Sequence, residues 1–169
     1  MDPTRFSGKD VIEMAVRIEE NGLAFYTEAA IASESEEIKK LFQFLGDEEK
    51  RHIYCFENIG KSFKDDNLPG ISDPYIEETS LYLGALANSR VFTEKDEGSR
   101  MAKKVRDEDD ALRTAIDMEK DSILFYYELE KVVKEKDRSV LATLISEEKK
   151  HLAKLTELQK NLSEKTLPQ

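Results

Sequence analysis

The sequence predicts an all-α protein: four long helices packed as two hairpins in a bundle, with one long crossover between the second and third helices that holds a short helix of its own. Three observations predict it. Glycine and proline are scarce, 7 and 4 in 169 residues, and they gather mid-chain around NLPGISDPY at 67–75, leaving long uninterrupted stretches on either side. In those stretches apolar residues recur at alternating steps of three and four, the period of a helix seam facing a bundle core. Segments also repeat: IEENGLAFY at 18–26 aligns with MEKDSILFY at 118–126, and EEKRH at 48–52 aligns with EEKKH at 147–151. The repeat makes two similar hairpins, and 1–169 reads as a single domain.

The first helix is expected near residues 8–32, where Ser7 and Asp10 have capping-box spacing, with a seam of Ile12, Ala15, Glu19, Gly22, Tyr26 and Ala29. A second follows near 35–61, with Ser33 and Glu36 as its capping pair and Phe42, Leu45, Glu49, His52, Phe56 and Ile59 as its seam. The crossover, 63–106, is too long for a plain loop, and DPYIEETSLYLGALANSRVF at 73–92 reads as a short helix opened by Asp-Pro. The third helix is expected near 107–135, with a seam of Leu112, Ala115, Glu119, Ser122, Tyr126, Leu129 and Val133. A fourth, near 138–162 and capped by Asp137, carries Leu141, Leu144, Glu148, His151, Leu155, Leu158 and Leu162. Residues 163–169 read as a flexible tail.

Composition narrows the function. With 26 basic and 36 acidic residues the net charge is -10, which argues against a nonspecific nucleic-acid surface. No stretch has the apolar length of a membrane span, and MDPTRFSGKD at the N-terminus lacks the core of a signal peptide, so a cytoplasmic protein is expected. The single cysteine, Cys55, makes neither an internal disulfide nor a four-cysteine metal site, and it reads as a small buried residue.

Each seam is apolar at both ends and carries a glutamate near its centre, where an unpaired carboxylate costs several kcal/mol to bury. Both histidines of the chain follow such a glutamate by three residues, which places Glu49 with His52, and Glu148 with His151, on one helix face. Two facing hairpins bring these four and Glu19 and Glu119 to one level. Two divalent ions compensate four carboxylates, and carboxylate with imidazole suits iron or manganese. A Glu from each of two helices and Glu-x-x-His from each of the other two form the di-iron pattern of helix bundles. Glu20, Glu48 and Glu147 lie one position off the seams and are expected at the surface.

On these motifs the chain resembles the ferritin-like domain of rubrerythrins, over the four helices but not over 63–106. The resemblance implies a ferritin-like bundle whose single long crossover fits the same topology. It also implies bridging or chelating roles for Glu49 and Glu148, and terminal roles for Glu19 and Glu119. Two departures stand out. Rubrerythrins carry a rubredoxin-like module with paired cysteines, which this chain lacks, so electrons are expected from a separate donor such as a rubredoxin. Many also place a second carboxylate three residues after the third-helix ligand, where this chain has Ser122.

Tyr26 and Tyr126, one heptad beyond Glu19 and Glu119, read either as hydrogen-bond donors to ligand carboxylates or as aromatic core. Gly22 and Ser122, matching small positions, read either as room for a small oxidant or as close helix packing. Two functions are expected of such a centre: an oxidoreductase that reduces hydrogen peroxide or dioxygen at two irons, or an iron-handling protein that oxidises and stores Fe(II). A helical interaction protein with a structural metal is the third reading. Zinc or manganese can replace iron in a purified sample. The apolar residues of 75–92 exceed what one short helix can bury, which predicts a homodimer, with exchange of the crossover between protomers as one way to build it.

Overall fold

The computed structural model describes residues 8–61, 82 and 94–166. Among them are five helices and no strand: α1 (Gly8–Ala32), α2 (Glu36–Gly60), α3 (Glu97–Ala102), α4 (Glu108–Val132) and α5 (Glu135–Thr166). The long four correspond to the four seams. The Ser7 cap, and the helix and dimer surface expected within 73–92, lie outside the described residues, Tyr82 apart. No described helix is long and apolar enough to cross a membrane.

The helix ends correct the expected caps. Ser35, not Ser33, caps α2: it is extended (φ -74°, ψ 121°) and its hydroxyl accepts from the Ile38 N–H. Ser33 instead donates its hydroxyl to the Ala29 carbonyl at 2.8 Å, closing the end of α1. Asp107 caps α4 by accepting from the Asp110 N–H at 2.8 Å. The fourth long helix starts at Glu135, so Asp137 falls inside its first turn rather than at the cap, where its charge still suits the helix dipole. It also continues through Thr166, because no helix breaker precedes Pro168 and the Lys160–Glu164 pair (3.8 Å) supports the last turns. Residues 163–166 of the expected tail are therefore helical, and 167–169 lie outside the described residues.

α1 packs mainly on α2 and α4 mainly on α5, giving the two hairpins, and α1 also meets α4 while α2 meets α5. Two apolar layers fill the bundle. One holds Ile12, Ile18, Phe56, Phe125, Leu129 and Leu141. The other holds Phe25, Ile38, Phe42, Leu112, Ile116 and Leu155. α2 ends in the first layer and α4 begins in the second, so the connection between them must travel the bundle's length. A 25-residue helix is about 37 Å long. That distance is the physical reason for one long crossover.

The described end of the crossover holds a short element that the helical periods of the sequence do not predict. The short α3 lies on α1, and Met101 and Ala102 pack against the second layer. Asp96 enters it in the left-handed region (φ 62°). A buried Asn21 clips it in place: its amide donates to the Glu94 carbonyl at 2.9 Å, and its oxygen accepts from the Gly98 N–H at 3.1 Å. A Cβ on Gly98 would lie 1.9 Å from the Asn21 carbonyl oxygen, so only glycine allows this approach.

Candidate metal centre

Between the two apolar layers the four long helices contribute a polar level. Glu19 comes from α1, Glu49 and His52 from α2, Glu119 from α4, Glu148 and His151 from α5. All six are buried, none more than 4% exposed. The heptad-like seams place them there because each seam must keep facing the core to bury its apolar residues above and below. Their ligand-type atoms form two overlapping groups, each within 4.8 Å: Glu19, Glu49, His52 and Glu148, then Glu49, Glu119, Glu148 and His151. Glu49 and Glu148 belong to both. The structure thus brings together all six residues singled out from the sequence. Cys55 stays apart, half-buried against the first apolar layer.

Three atoms facing one another in this level, Glu49 Oε2, His52 Nδ1 and Glu148 Oε1, are buried without a hydrogen bond. His52 Nδ1 lies only 2.7 Å from Glu148 Oε1 and 3.4 Å from Glu49 Oε2, too close for water between them yet out of line for hydrogen bonding. On the other side His151 Nδ1 lies 3.1 Å from Glu148 Oε2 and 3.9 Å from Glu119 Oε1. Both imidazoles turn Nδ1 inward, and their rings stack at 5.7 Å and 20°. Buried polar atoms left unpaired cost free energy unless something else binds them. Converging orphan oxygens and an imidazole nitrogen, with no thiolate in the set, fit a pair of cations of the iron or manganese type.

The outer contacts cross between hairpins. Tyr26 donates its hydroxyl to Glu119 Oε1 at 2.5 Å, and Tyr126 donates to Glu19 Oε1. The tyrosines are therefore hydrogen-bonded to carboxylates of the cluster as well as part of the core. His52 Nε2 faces Glu147 Oε2 of the opposite hairpin at 3.3 Å, and His151 Nε2 faces Glu48 Oε2 at 3.8 Å. Arg51 ties these two outer carboxylates together, with Nη1 donating to Glu147 at 3.1 Å and Nη2 to Glu48 at 2.5 Å. Glu20 is exposed, but Glu48 and Glu147 are half-buried, which corrects their expected surface role. A signal was available: in both EE-x-x-H motifs the extra glutamate is kept beside the inner one.

Charge in this dry space is unevenly held. Burial raises the Glu49 carboxyl well above its ordinary value, and the negative Glu19 and Glu148 raise it further. Glu119 is raised in the same way by burial and by Glu148. For Glu19 burial works upward, but its close contacts with the Glu49 carboxyl, with His52 and with the Tyr126 hydroxyl bring it below the usual carboxylate range. Burial alone would lower His52, and the surrounding carboxylates of Glu148, Glu19 and Glu49 outweigh it and raise it. Burial lowers His151. Both tyrosines are pushed well above an ordinary phenol, by burial first and then by the cluster's carboxylates, so they remain protonated donors.

Comparison with known proteins agrees with this geometry. A family model for rubrerythrin matches residues 10–159. A crystal structure of a protein from Thermotoga maritima, described as ferritin-like and di-iron-carboxylate, matches with a TM-score of 0.69 and 30% identity, over 92% of this chain and 96% of that one. A search of curated proteins finds no match.

Proposed function

The chain belongs to the rubrerythrin family, and on that premise we propose that it is a di-iron oxidoreductase that reduces hydrogen peroxide, or dioxygen, with electrons from a separate donor such as a rubredoxin. One observation carries the reading: two overlapping groups of buried ligand-type atoms that share Glu49 and Glu148, with unpaired atoms at the shared position. In this proposal Glu49 and Glu148 are common to both ions. Glu19 and His52 serve one, Glu119 and His151 the other. Four carboxylates then balance two Fe(II) ions. A bound ferrous pair would supply two electrons, which with two protons suffice to reduce one hydrogen peroxide to two waters, and a separate donor would have to replace them.

The protein's own groups set the conditions for that chemistry. Glu147 contacts the outer nitrogen of His52 at 3.3 Å and Glu48 lies 3.8 Å from that of His151, which leaves the inner nitrogens aimed at the cluster's carboxylates. Tyr26 and Tyr126 fix one oxygen each of Glu119 and Glu19, and the second oxygen of Glu19 faces His52 at 3.5 Å. The apolar layers on both sides keep bulk water away, which strengthens every charge interaction between them.

Anaerobic loading should give about two iron ions per chain, the number a di-iron bundle holds, and Glu49→Ala should lose iron; unchanged occupancy in that variant would sink the ligand assignment. Mixing the reduced protein rapidly with peroxide, then with excess Fe(II) and dioxygen, tests the activity. Fast oxidation by peroxide that an added rubredoxin reverses supports the oxidoreductase. Slow reaction with peroxide and repeated oxidation of added Fe(II) supports iron handling instead. Steady peroxide consumption with a nicotinamide cofactor and this protein alone would remove the need for a separate donor.

A further inference from the structure

One small pocket opens onto the metal level from between α1 and α4. Glu19, Gly22, Tyr26, Met118, Glu119 and Ser122 are among its walls, and it has room, about 10 Å³, for the centre of one water-sized molecule. Two of these residues occupy equivalent places in the internal repeat, three residues after Glu19 and three after Glu119: Gly22 and Ser122. Gly22 sets the depth. A Cβ there would stand 3.2 Å from Glu49 Oε1, so a side chain would press on the carboxylate instead of leaving space beside it. Ser122 supplies the chemistry. Half-buried Ser122 lines the pocket, and its hydroxyl makes no hydrogen bond among the described residues. Thr27, Thr143, Thr156 and Ser163, by contrast, each close back on the carbonyl four residues earlier in their helices. The pocket's other hydroxyl, on Tyr26, is already given to Glu119. One protic group therefore faces the pocket unused.

Resting on the di-iron reading above, we infer that Ser122 is the residue that hydrogen-bonds the incoming oxidant, and that the Gly22–Ser122 pocket limits that oxidant to an unsubstituted two-oxygen molecule, hydrogen peroxide or dioxygen. Organic hydroperoxides share the O–O group but carry a carbon chain that the space between Ile18, Met118 and the two small residues does not accommodate. The hydroxyl suits either small oxidant because it both donates and accepts. Apart from the carboxyl groups proposed to hold the ions, the walls are the apolar Ile18 and Met118, Gly22, the Tyr26 hydroxyl already given to Glu119, and Ser122, whose hydroxyl is the one left for a bound oxygen atom.

Azide, a small linear anion, probes the pocket in the iron-loaded full chain without turnover. Ser122→Ala is expected to keep its iron and to bind azide about 3- to 10-fold more weakly, the value of one lost hydrogen bond, as read from the absorption of the azide complex. Mixed with the reduced parent protein, hydrogen peroxide should oxidise the centre about tenfold or more faster than tert-butyl hydroperoxide, with dioxygen followed in a separate arm. Equal azide affinity in the parent and in Ser122→Ala overturns the role of Ser122. Loss of iron in Ser122→Ala overturns it too, by making the hydroxyl part of the metal scaffold. Equal rates for the two peroxides overturn the size limit. Failure of the parent to take up an iron pair is a distinct result at the loading step: it overturns the di-iron reading, and the inference with it.

Discussion

Each histidine of the cluster is held from outside by a carboxylate of the opposite hairpin, but the two holds are unequal. Glu147 approaches His52 Nε2 to 3.3 Å, whereas Glu48 stays 3.8 Å from His151 Nε2. A carboxylate behind an imidazole fixes its orientation and raises its basicity as a ligand, and its loss commonly lowers metal affinity 10- to 100-fold, as an order of magnitude. Glu147→Ala should therefore weaken iron binding by about tenfold or more, and Glu48→Ala by less. Competition with a chelator at fixed pH measures both, and equal effects would show that distance does not set the rank. The tyrosines allow a complementary measurement. Tyr126→Phe removes the donor from buried Glu19, and Tyr26→Phe removes it from buried Glu119, so each should destabilise the metal-free protein by about 1–3 kcal/mol in denaturant unfolding. A change near zero in both would mean that the carboxylates find other partners.

Among the helices, the clip between α1 and α3 is the most position-specific contact. Gly98→Ala sets a methyl against the Asn21 carbonyl oxygen, where backbone must move, and is expected to cost about 1–3 kcal/mol, the range for overpacking. Asn21→Ala leaves the Gly98 N–H and the Glu94 carbonyl without their partner, at a similar cost of about 1–3 kcal/mol. Urea unfolding of both variants checks this, and Asn21→Ala at parental stability would show that α3 does not depend on the clip. The sequence hid this element for a physical reason. A seam such as Leu141, Leu144, Glu148, His151, Leu155 and Leu158 repeats its apolar spacing over many turns, and its charged centre can be read only against that period. A helix of six residues, Glu97–Ala102, is less than two turns and has no period to read. Its evidence is a single asparagine on another helix. The cap of α2 escaped for a related reason: Ser33 and Ser35 both suit a cap by type, and the choice depends on where α1 stops. Glu48 and Glu147 were misplaced because the outer nitrogen of an imidazole belongs to no seam. The partner that reaches it comes from the neighbouring helix, one step off the seam.

The whole molecule stores opposing charges in a closed space, so its stability should respond to pH in opposite ways with and without metal. In the metal-free fold Glu49 and Glu119 hold protons above the ordinary carboxyl value of 4.5, so the native state binds more protons than the unfolded chain once pH exceeds that value. A raised group contributes stability that is complete below its unfolded value and is lost as pH rises towards its folded one. His151, lowered from 6.5, works the other way and adds stability as pH rises towards 6.5. Two carboxylates against one imidazole leave a net decline between about pH 5 and 6.5. His52, raised from 6.5, extends its own loss above that window, and Glu19, lowered from 4.5, acts below it. With iron bound the sign reverses. Ligand carboxylates and imidazoles must shed their protons to bind, so the loaded fold carries fewer protons than the unfolded chain, whose histidines are still charged below pH 6.5. Loaded protein should therefore gain stability over the same pH 5–6.5 interval, and iron uptake near neutral pH should release about two or three protons per chain. Urea unfolding at several pH values, run anaerobically with and without saturating Fe(II), gives both slopes, and uptake in a weakly buffered solution gives the proton count. Slopes of the same sign, or uptake that releases no protons, would mean that the buried carboxyls are already ionised in the empty fold.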